Sequence, residues 1–283
     1  MITVAISGSS GFLGTQLCNF LNYKYNIIKL KRSDYSLAPD KLAMVLKGSD
    51  YVINLAGAPI FGLWTKKYRN TILQSRIETT RNLVRAIALM EQKPKLFISA
   101  SGANIYDDTH VHTEESSAFA HDYLADVCKQ WEREAVNSSV PIAIIRTSLV
   151  LGNSGGLFKA LNLTLPFRFI MKFGSGKQYF PFLHVSDYVS AIEFIMDKEL
   201  SGVFNMVSPE ATTYQSFYNT MKAFCRPLFI IPVPSFLLKL LPGGQSVIFL
   251  KGQHVVPKRL LNEGFEFRYP SLEASIHSLR AKS

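Results

Sequence analysis

A doubly wound parallel α/β sheet with a smaller C-terminal α+β lobe is the fold this sequence predicts. Two observations carry that expectation. Short apolar, β-branched runs alternate with helix-period segments through the first half of the chain. A glycine-rich turn, Gly8-Ser9-Ser10-Gly11-Phe12-Leu13-Gly14, follows the first apolar run and opens the first helix-period segment.

The elements follow in order. Residues 2–6, 26–30, 51–55, 96–99 and 142–145 read as short buried strands, and residues 14–21, 65–90 and 122–135 as the helices between them. The connection before the strand at 51–55 is too short for a full strand-helix unit. A third strand around Tyr35 and Leu37 should therefore be vestigial. After Gly152 the alternation fades, and glycines and prolines cluster at 152–156, 174–176, 232–234 and 242–244. Residues 1–152 are expected to form a dinucleotide-binding half. Residues 153–283 should form a loop-rich substrate lobe, partly interleaved with the sheet.

Composition bounds the class. The 283 residues are 47% hydrophobic and 18% charged, a globular balance that excludes a disordered chain. Lys and Arg number 31 against 21 Asp and Glu, for a net charge of +10, which favours anionic ligands. The basic residues are scattered, so no nucleic-acid footprint is visible. Cys18, Cys128 and Cys225 are too few and too widely spaced for a disulfide framework or a zinc ribbon. Met1-Ile2-Thr3-Val4 lacks the charged lead of a signal peptide, and no apolar run is long enough for stable membrane insertion. The expectation is a soluble, cytoplasmic protein.

The glycine turn is where chemistry first shows. Its glycines allow a tight turn, close approach of backbone to a pyrophosphate, and close helix-strand packing. The helix N-terminus then turns its free N–H groups towards phosphates, with Ser10, Phe12 and Leu13 in the same loop. The second strand ends in Leu30-Lys31-Arg32-Ser33-Asp34. Arg32 can clamp a 2′-phosphate with two parallel bonds and Lys31 adds charge, which favours NADP(H) over NAD. Asp34 dissents. Asn54-Leu55-Ala56-Gly57 ends the next strand with small residues that let backbone pass close to a flat adenosine.

These residues resemble the short-chain dehydrogenase/reductase superfamily, in its extended, epimerase-like branch with a Rossmann dinucleotide fold. The marks are Gly8-x-x-Gly11-x-x-Gly14, Asn54-Leu55-Ala56-Gly57, Ser99-Ala100-Ser101, Arg146-Thr147-Ser148-Leu149-Val150-Leu151-Gly152 and His184-Val185-Ser186-Asp187. A closer resemblance is to the atypical epimerase family of SDR39U1-like (YfcH-like) proteins. It rests on Trp64-Thr65, Ser75-Arg76-x-x-Thr79-Thr80, Cys128-x-x-Trp131-Glu132, Gly174-Ser175-Gly176-Lys177-Gln178, Gly252-Gln253 and Pro257-x-Arg259. The C-terminal end resembles the domain of unknown function DUF1731. The resemblance implies an NADP-binding oxidoreductase of unknown substrate, with Leu55, Ala56, Arg76, Ser99 and Leu149 at the dinucleotide.

Hydride-transferring members of that superfamily pair a Tyr with a Lys four residues on, which share one helix face. The Lys matters because a free Tyr, with a pKa of about 10, is a poor base at neutral pH. Counted back from Glu132, the two positions fall on Leu124 and Cys128. Tyr123 and Lys129 are six residues apart, about 240° around a helix, and cannot replace them. The same spacing at Tyr25 and Lys29, and at Tyr218 and Lys222, lies away from the expected site. Ser101 and Tyr106, on the loop after the fourth strand, become the catalytic candidates. Cys128 would need a lowered pKa to act. His184 could act as acid or base, although helix capping by Ser186 or Asp187 is simpler. His110, His112 and His121 have no metal-ligand spacing. Lys177, Gln178, Arg168 and Lys172 are candidates for an anionic small-molecule substrate. The stretches 158–172 and 236–251 are expected to close over the cofactor. Two functions compete: an NADP-dependent oxidoreductase or epimerase-like enzyme with a rearranged proton donor, and a non-catalytic NADP(H) module acting through a protein partner.

Overall fold

The computed structural model describes residues 1–156, 169–225, 227 and 229–281. Its elements run β1 (Thr3–Ser7), α1 (Phe12–Leu21), β2 (Asn26–Lys29), α2 (Pro39–Val45), β3 (Tyr51–Asn54), α3 (Lys66–Leu89), β4 (Leu96–Gly102), β5 (Val111–His112), α4 (Tyr123–Ala135), β6 (Ile142–Thr147) and β7 (Leu149–Leu151). After them come β8 (Phe169–Phe173), β9 (Phe182–His184), α5 (Val185–Asp197), β10 (Gly202–Met206), α6 (Tyr214–Cys225), β11 (Phe229–Val233), α7 (Ser235–Lys239), α8 (Val247–Leu250), β12 (His254–Val255), α9 (Lys258–Asn262) and α10 (Leu272–Ala281).

Six strands form one parallel sheet in the order β2-β1-β3-β4-β6-β10. The inner strands are buried on both faces: Val4, Ala5 and Ile6, then Val52 and Ile53, then Phe97 and Ile98, lose all exposure. This is why they read in sequence as unbroken apolar runs. Edge strand β2 is covered less, with its two ends exposed and its two middle residues half-buried. Chain direction in the strand order reverses between β1 and β3, and the crevice beyond the carboxyl ends of those strands is where such sheets take ligands.

The vestigial third strand is absent altogether. Asp34–Ser36 is a 3₁₀ turn, and α2 follows it to pack on α3. Asn82 of α3 fixes the turn by donating to the Tyr35 and Leu37 carbonyls at 2.8 and 2.9 Å. Tyr35 reaches back to the glycine loop, its hydroxyl accepting the Gly8 N–H at 2.7 Å.

The chain beyond residue 152 supplies the sheet with its last strand, β10, and α5, which packs beside α1. Leu17, Leu21, Tyr188, Ile192 and Phe204 therefore share one core, so the two halves are joined through the sheet. A second core holds the C-terminal lobe together, with Phe180, Phe182, Phe217 and Met221 packed on Leu272 and Ile276 of α10. The short pairs β8·β11, β7·β9 and β5·β12 tie that lobe down. Among the described residues no helix is long and apolar enough to cross a membrane.

Candidate functional site

A cavity of about 420 Å³ lies beyond the carboxyl ends of β1, β3, β4 and β6. One end is the glycine turn. Gly8 has φ +71°, and a Cβ there would lie 2.7 Å from the Leu55 carbonyl carbon and oxygen. A Cβ on Gly14 would overlap the Gly8 carbonyl oxygen. Only glycine lets the turn, the β3 end and α1 come this close. Gly11 is the N-cap of α1 and offers no side-chain cap, and no acidic residue stands in the first turn. The first N–H groups of α1 are thus left for an anion.

Arg76 of α3 faces the same end. Its Nη1 donates to the Ala58 and Ile72 carbonyls at 3.0 and 2.9 Å, and its guanidinium lies 5.1 Å from the Trp131 ring centroid. Gly57 makes room for it: a Cβ at that position would sit 2.9 Å from the Arg76 Cζ. Among the described residues no carboxylate pairs with Arg76, and burial lowers its pKa. A cation enclosed without an anion calls for one from the cavity.

Of the residues singled out for the dinucleotide, Gly8, Gly11, Phe12, Leu13, Gly14, Leu55, Gly57, Arg76 and Leu149 line the cavity. Ser10, Lys31, Arg32, Asn54, Ala56 and Ser99 do not. Asn54 is a bracket behind the wall. Its Oδ1 accepts from Ser7 at 2.6 Å and from the Ala56 N–H at 3.3 Å, while its amide donates to Thr80. Ser99 is fully buried in the sheet. Lys31 and Arg32 are exposed at the end of β2. The dissenting Asp34 is occupied: its Oδ2 accepts the Lys31 N–H at 2.7 Å and its Oδ1 the Ser33 hydroxyl at 3.4 Å.

The other end is walled by α4, the loop after β4, and residues 248–253. Leu124 and Cys128, the two positions of the absent Tyr-Lys pair, both face the cavity. Burial pushes the Cys128 thiol up to about 11, with the Glu132 charge adding to it. Tyr123 turns away, giving its hydroxyl to the Arg69 carbonyl under a guanidinium 4.1 Å from its ring centroid. Lys129 also turns away and donates to the Ala120 carbonyl at 2.8 Å.

Ser101 lines the cavity, but its hydroxyl donates backwards to Glu132 Oε1 at 2.6 Å. Glu132 in turn takes Nε and Nη2 of Arg146 at 2.9 and 2.7 Å. Arg146 Nη1 donates to the Tyr106 hydroxyl at 2.7 Å, and that hydroxyl donates on to Asn205 Oδ1 at 2.9 Å or the Thr113 carbonyl at 3.1 Å. Burial alone would lower the Arg146 pKa, and the Glu132 carboxylate more than reverses this. Tyr106 is fully buried and off the cavity wall. The expectation that it reaches a bound substrate is corrected: it anchors Arg146.

His184 itself caps α5, its Nδ1 accepting the Ser186 N–H at 3.1 Å, whereas Asp187 holds the Arg268 and Tyr269 N–H groups. The expected cap was Ser186 or Asp187. His112 is buried on Asp107, and no metal-holding cluster occurs among the described residues. The residues proposed for an anionic substrate lie elsewhere: Lys172 bonds Gln215 at 2.6 Å, Gln178 bonds the Phe173 and Phe249 carbonyls, and Lys177 is exposed. Arg168, with most of the stretch 158–172, lies outside the described residues. Sequence reading missed Lys251 and Tyr214. Lys251 stands at the rim 3.6 Å from Asp122 and 3.9 Å from Asp108. Lys251 ends the stretch 236–251 expected to close over the cofactor, of which Ile248 and Lys251 line the cavity, and the Gly252 next to it is pressed onto the Tyr179 carbonyl.

A family model described as NAD dependent epimerase/dehydratase family matches residues 4–206. The chain belongs to the NAD dependent epimerase/dehydratase family. A second model, a domain of unknown function (DUF1731), matches residues 233–279, the stretch that closes the far end of the cavity. Epimerase family protein SH2119 of Staphylococcus haemolyticus is 34% identical, over 97% of each chain. Human epimerase family protein SDR39U1 is 30% identical over 98% of this chain and 99% of its own. A crystal structure of human SDR39U1 (isoform 2) with NADPH superposes with a TM-score of 0.91 at 28% identity, covering 100% of both chains. This member of the epimerase family thus shares its whole architecture with a protein crystallised with NADPH.

Proposed function

We propose that the protein binds NADP(H) in the cavity and transfers hydride to or from a small-molecule substrate. The observation that carries the reading is Arg76, a cation at the glycine-rich end with no carboxylate partner among the described residues. The α1 N-terminus and the glycine cradle support a pyrophosphate beside it. Lys31 and Arg32, exposed at the end of β2, favour a 2′-phosphate. The NADPH in the human SDR39U1 crystal supports the same cofactor. When bound, NADPH supplies a hydride for a carbonyl carbon, and the oxygen takes a proton ultimately drawn from water. Ser101, whose proton is given to Glu132, offers a ligand its lone pairs.

A second reading is binding without turnover, with the dinucleotide reported to a protein partner. Leu124 and Cys128 favour it, since neither can play the part of the absent Tyr-Lys pair and burial raises the Cys128 thiol further. One fluorescence experiment separates the two. NADPH should bind at least tenfold more tightly than NADH, and Arg76→Ala should lose at least tenfold in NADPH affinity. Oxidation of bound NADPH by a pool of carbonyl compounds and sugar nucleotides then supports the enzyme. Tight binding with neither oxidation nor epimerisation favours the partner-reporting module. Equal binding of both dinucleotides, or none, sinks the cofactor assignment.

A further inference from the structure

The far end of the cavity has a side arm whose chemistry narrows the substrate class. Phe61, Met171, Phe173, Phe217, Tyr218 and Phe249 wall a cleft of about 30 Å³, room for a short alkyl group or the edge of a ring. Leu149, Tyr214 and Ile248 belong to both the cleft and the main cavity, so the two spaces adjoin. Among the described residues no charged side chain lines the arm.

Its inner wall is fixed. Phe217 is buried and stacks on Phe180 with ring centroids 4.4 Å apart. Phe173 and Phe249 lie 4.8 Å apart. Tyr218 turns its hydroxyl to the backbone, accepting the Phe173 N–H at 3.0 Å, and so presents only ring to the arm. Its outer wall is open: Met171 is 40% and Phe61 47% exposed. A thioether chain adapts to what it covers, and exposed large apolar residues around a cleft mark a ligand groove. A diphosphate or a sugar placed here would lose its hydration with nothing to replace it. An alkyl or aryl group would lose only its water.

We propose that the arm receives the apolar end of the substrate, which is a small ketone or aldehyde with an alkyl or aryl body rather than a nucleotide sugar. Of the three side chains common to arm and cavity, Tyr214 alone can hydrogen-bond, so a polar group at that junction would meet it. Burial keeps its phenol protonated, hence a donor to a carbonyl oxygen. The proposal rests on the hydride-transfer reading for its reaction but not for its binding.

The test is calorimetric titration of the purified protein with acetophenone, acetone and UDP-glucose, with and without NADPH. Acetophenone should bind at least tenfold more tightly than acetone, the gain of an apolar group placed in an apolar slot. Met171→Trp, which fills the arm from its exposed side, should weaken acetophenone at least tenfold and leave NADPH affinity within about twofold. Phe61→Trp fills the same wall should the first variant fold poorly. Tighter binding of UDP-glucose than of acetophenone, or acetophenone affinity indifferent to both fillings, overturns the proposal. Absence of NADPH binding in its own titration would sink the cofactor reading instead, and the ketone titration would still judge the arm.

Discussion

At the glycine-rich end the cavity wall is backbone, Gly8 packed onto the Leu55 carbonyl just beyond β3 and Gly14 onto the Gly8 carbonyl of the turn itself. At the α4 end the wall is side chain, and it rests on the buried relay from Ser101 through Glu132 and Arg146 to Tyr106. A backbone wall has one shape and tolerates no added atom. A side-chain wall can be emptied or refilled, and it fails only if its buried charges lose their partners. The difference explains how one end can hold a glycine cradle of fixed shape while the other carries Leu124 and Cys128 in place of a Tyr-Lys pair on the same fold.

The sharpest way to break that contrast is Glu132→Ala. Arg146 has a side chain only 6% exposed and would keep its charge with no carboxylate. Removing one partner of a buried pair costs about 3–5 kcal/mol. In a chain of this size that lowers Tm by about 10 °C. Urea unfolding with Glu132→Gln alongside reads the charge apart from the hydrogen bonds. NADPH affinity of the folded fraction should stay within about threefold, because the glycine end does not touch this relay. A cost below about 1 kcal/mol would mean that the pair is surface-like and that something else holds the α4 end.

Next in size is Gly14→Ala. The added methyl meets the Gly8 carbonyl oxygen, which cannot rotate away. Overpacking of this kind typically costs about 1–3 kcal/mol. The variant should also lose at least tenfold in NADPH affinity, since the turn must open to admit the methyl. Unchanged affinity in a fluorescence titration would show that the dinucleotide does not sit on this turn.

The same contrast decided what the sequence could reveal. The glycine turn is local: seven consecutive residues hold the strand end, the turn and the helix start, so their spacing announces the site. The parallel strands were legible because burial on both faces leaves unbroken Val and Ile runs. The relay was not legible, since Ser101, Glu132, Arg146 and Tyr106 meet only through the β4-β6 pairing and the packing of α4. Tyr106 shows the cost of that blindness. Its place in the chain suits a catalytic loop, yet its hydroxyl is spent on Arg146 and Asn205 inside the core. Asp34, which dissented from the NADP(H) reading in sequence, has one carboxylate oxygen accepting the Lys31 N–H in the 3₁₀ turn. The aromatic arm draws its walls from residues 61 to 249, and no spacing rule links them.

The smallest effect concerns Cys128, the one nucleophilic atom on the α4 wall. Burial is the main force on its thiol, the Glu132 charge adds to it, and Arg76 opposes both. The folded pKa of about 11 exceeds the usual value of 9.0. Folding thus favours the protonated thiol, and this contribution is present below pH 9 and lost as pH rises from 9 towards 11. At pH 8 the thiolate fraction in the folded protein is about a hundredfold below that of the unfolded chain. Iodoacetamide should therefore label the Cys128 peptide about a hundredfold more slowly in buffer than in urea, as read by mass spectrometry. Saturating NADPH should leave the slow rate unchanged or lower it. Labelling in buffer as fast as in urea would mean a thiolate held ready beside Leu124. The α4 end would then carry chemistry of its own, and any mechanism would have to begin at Cys128.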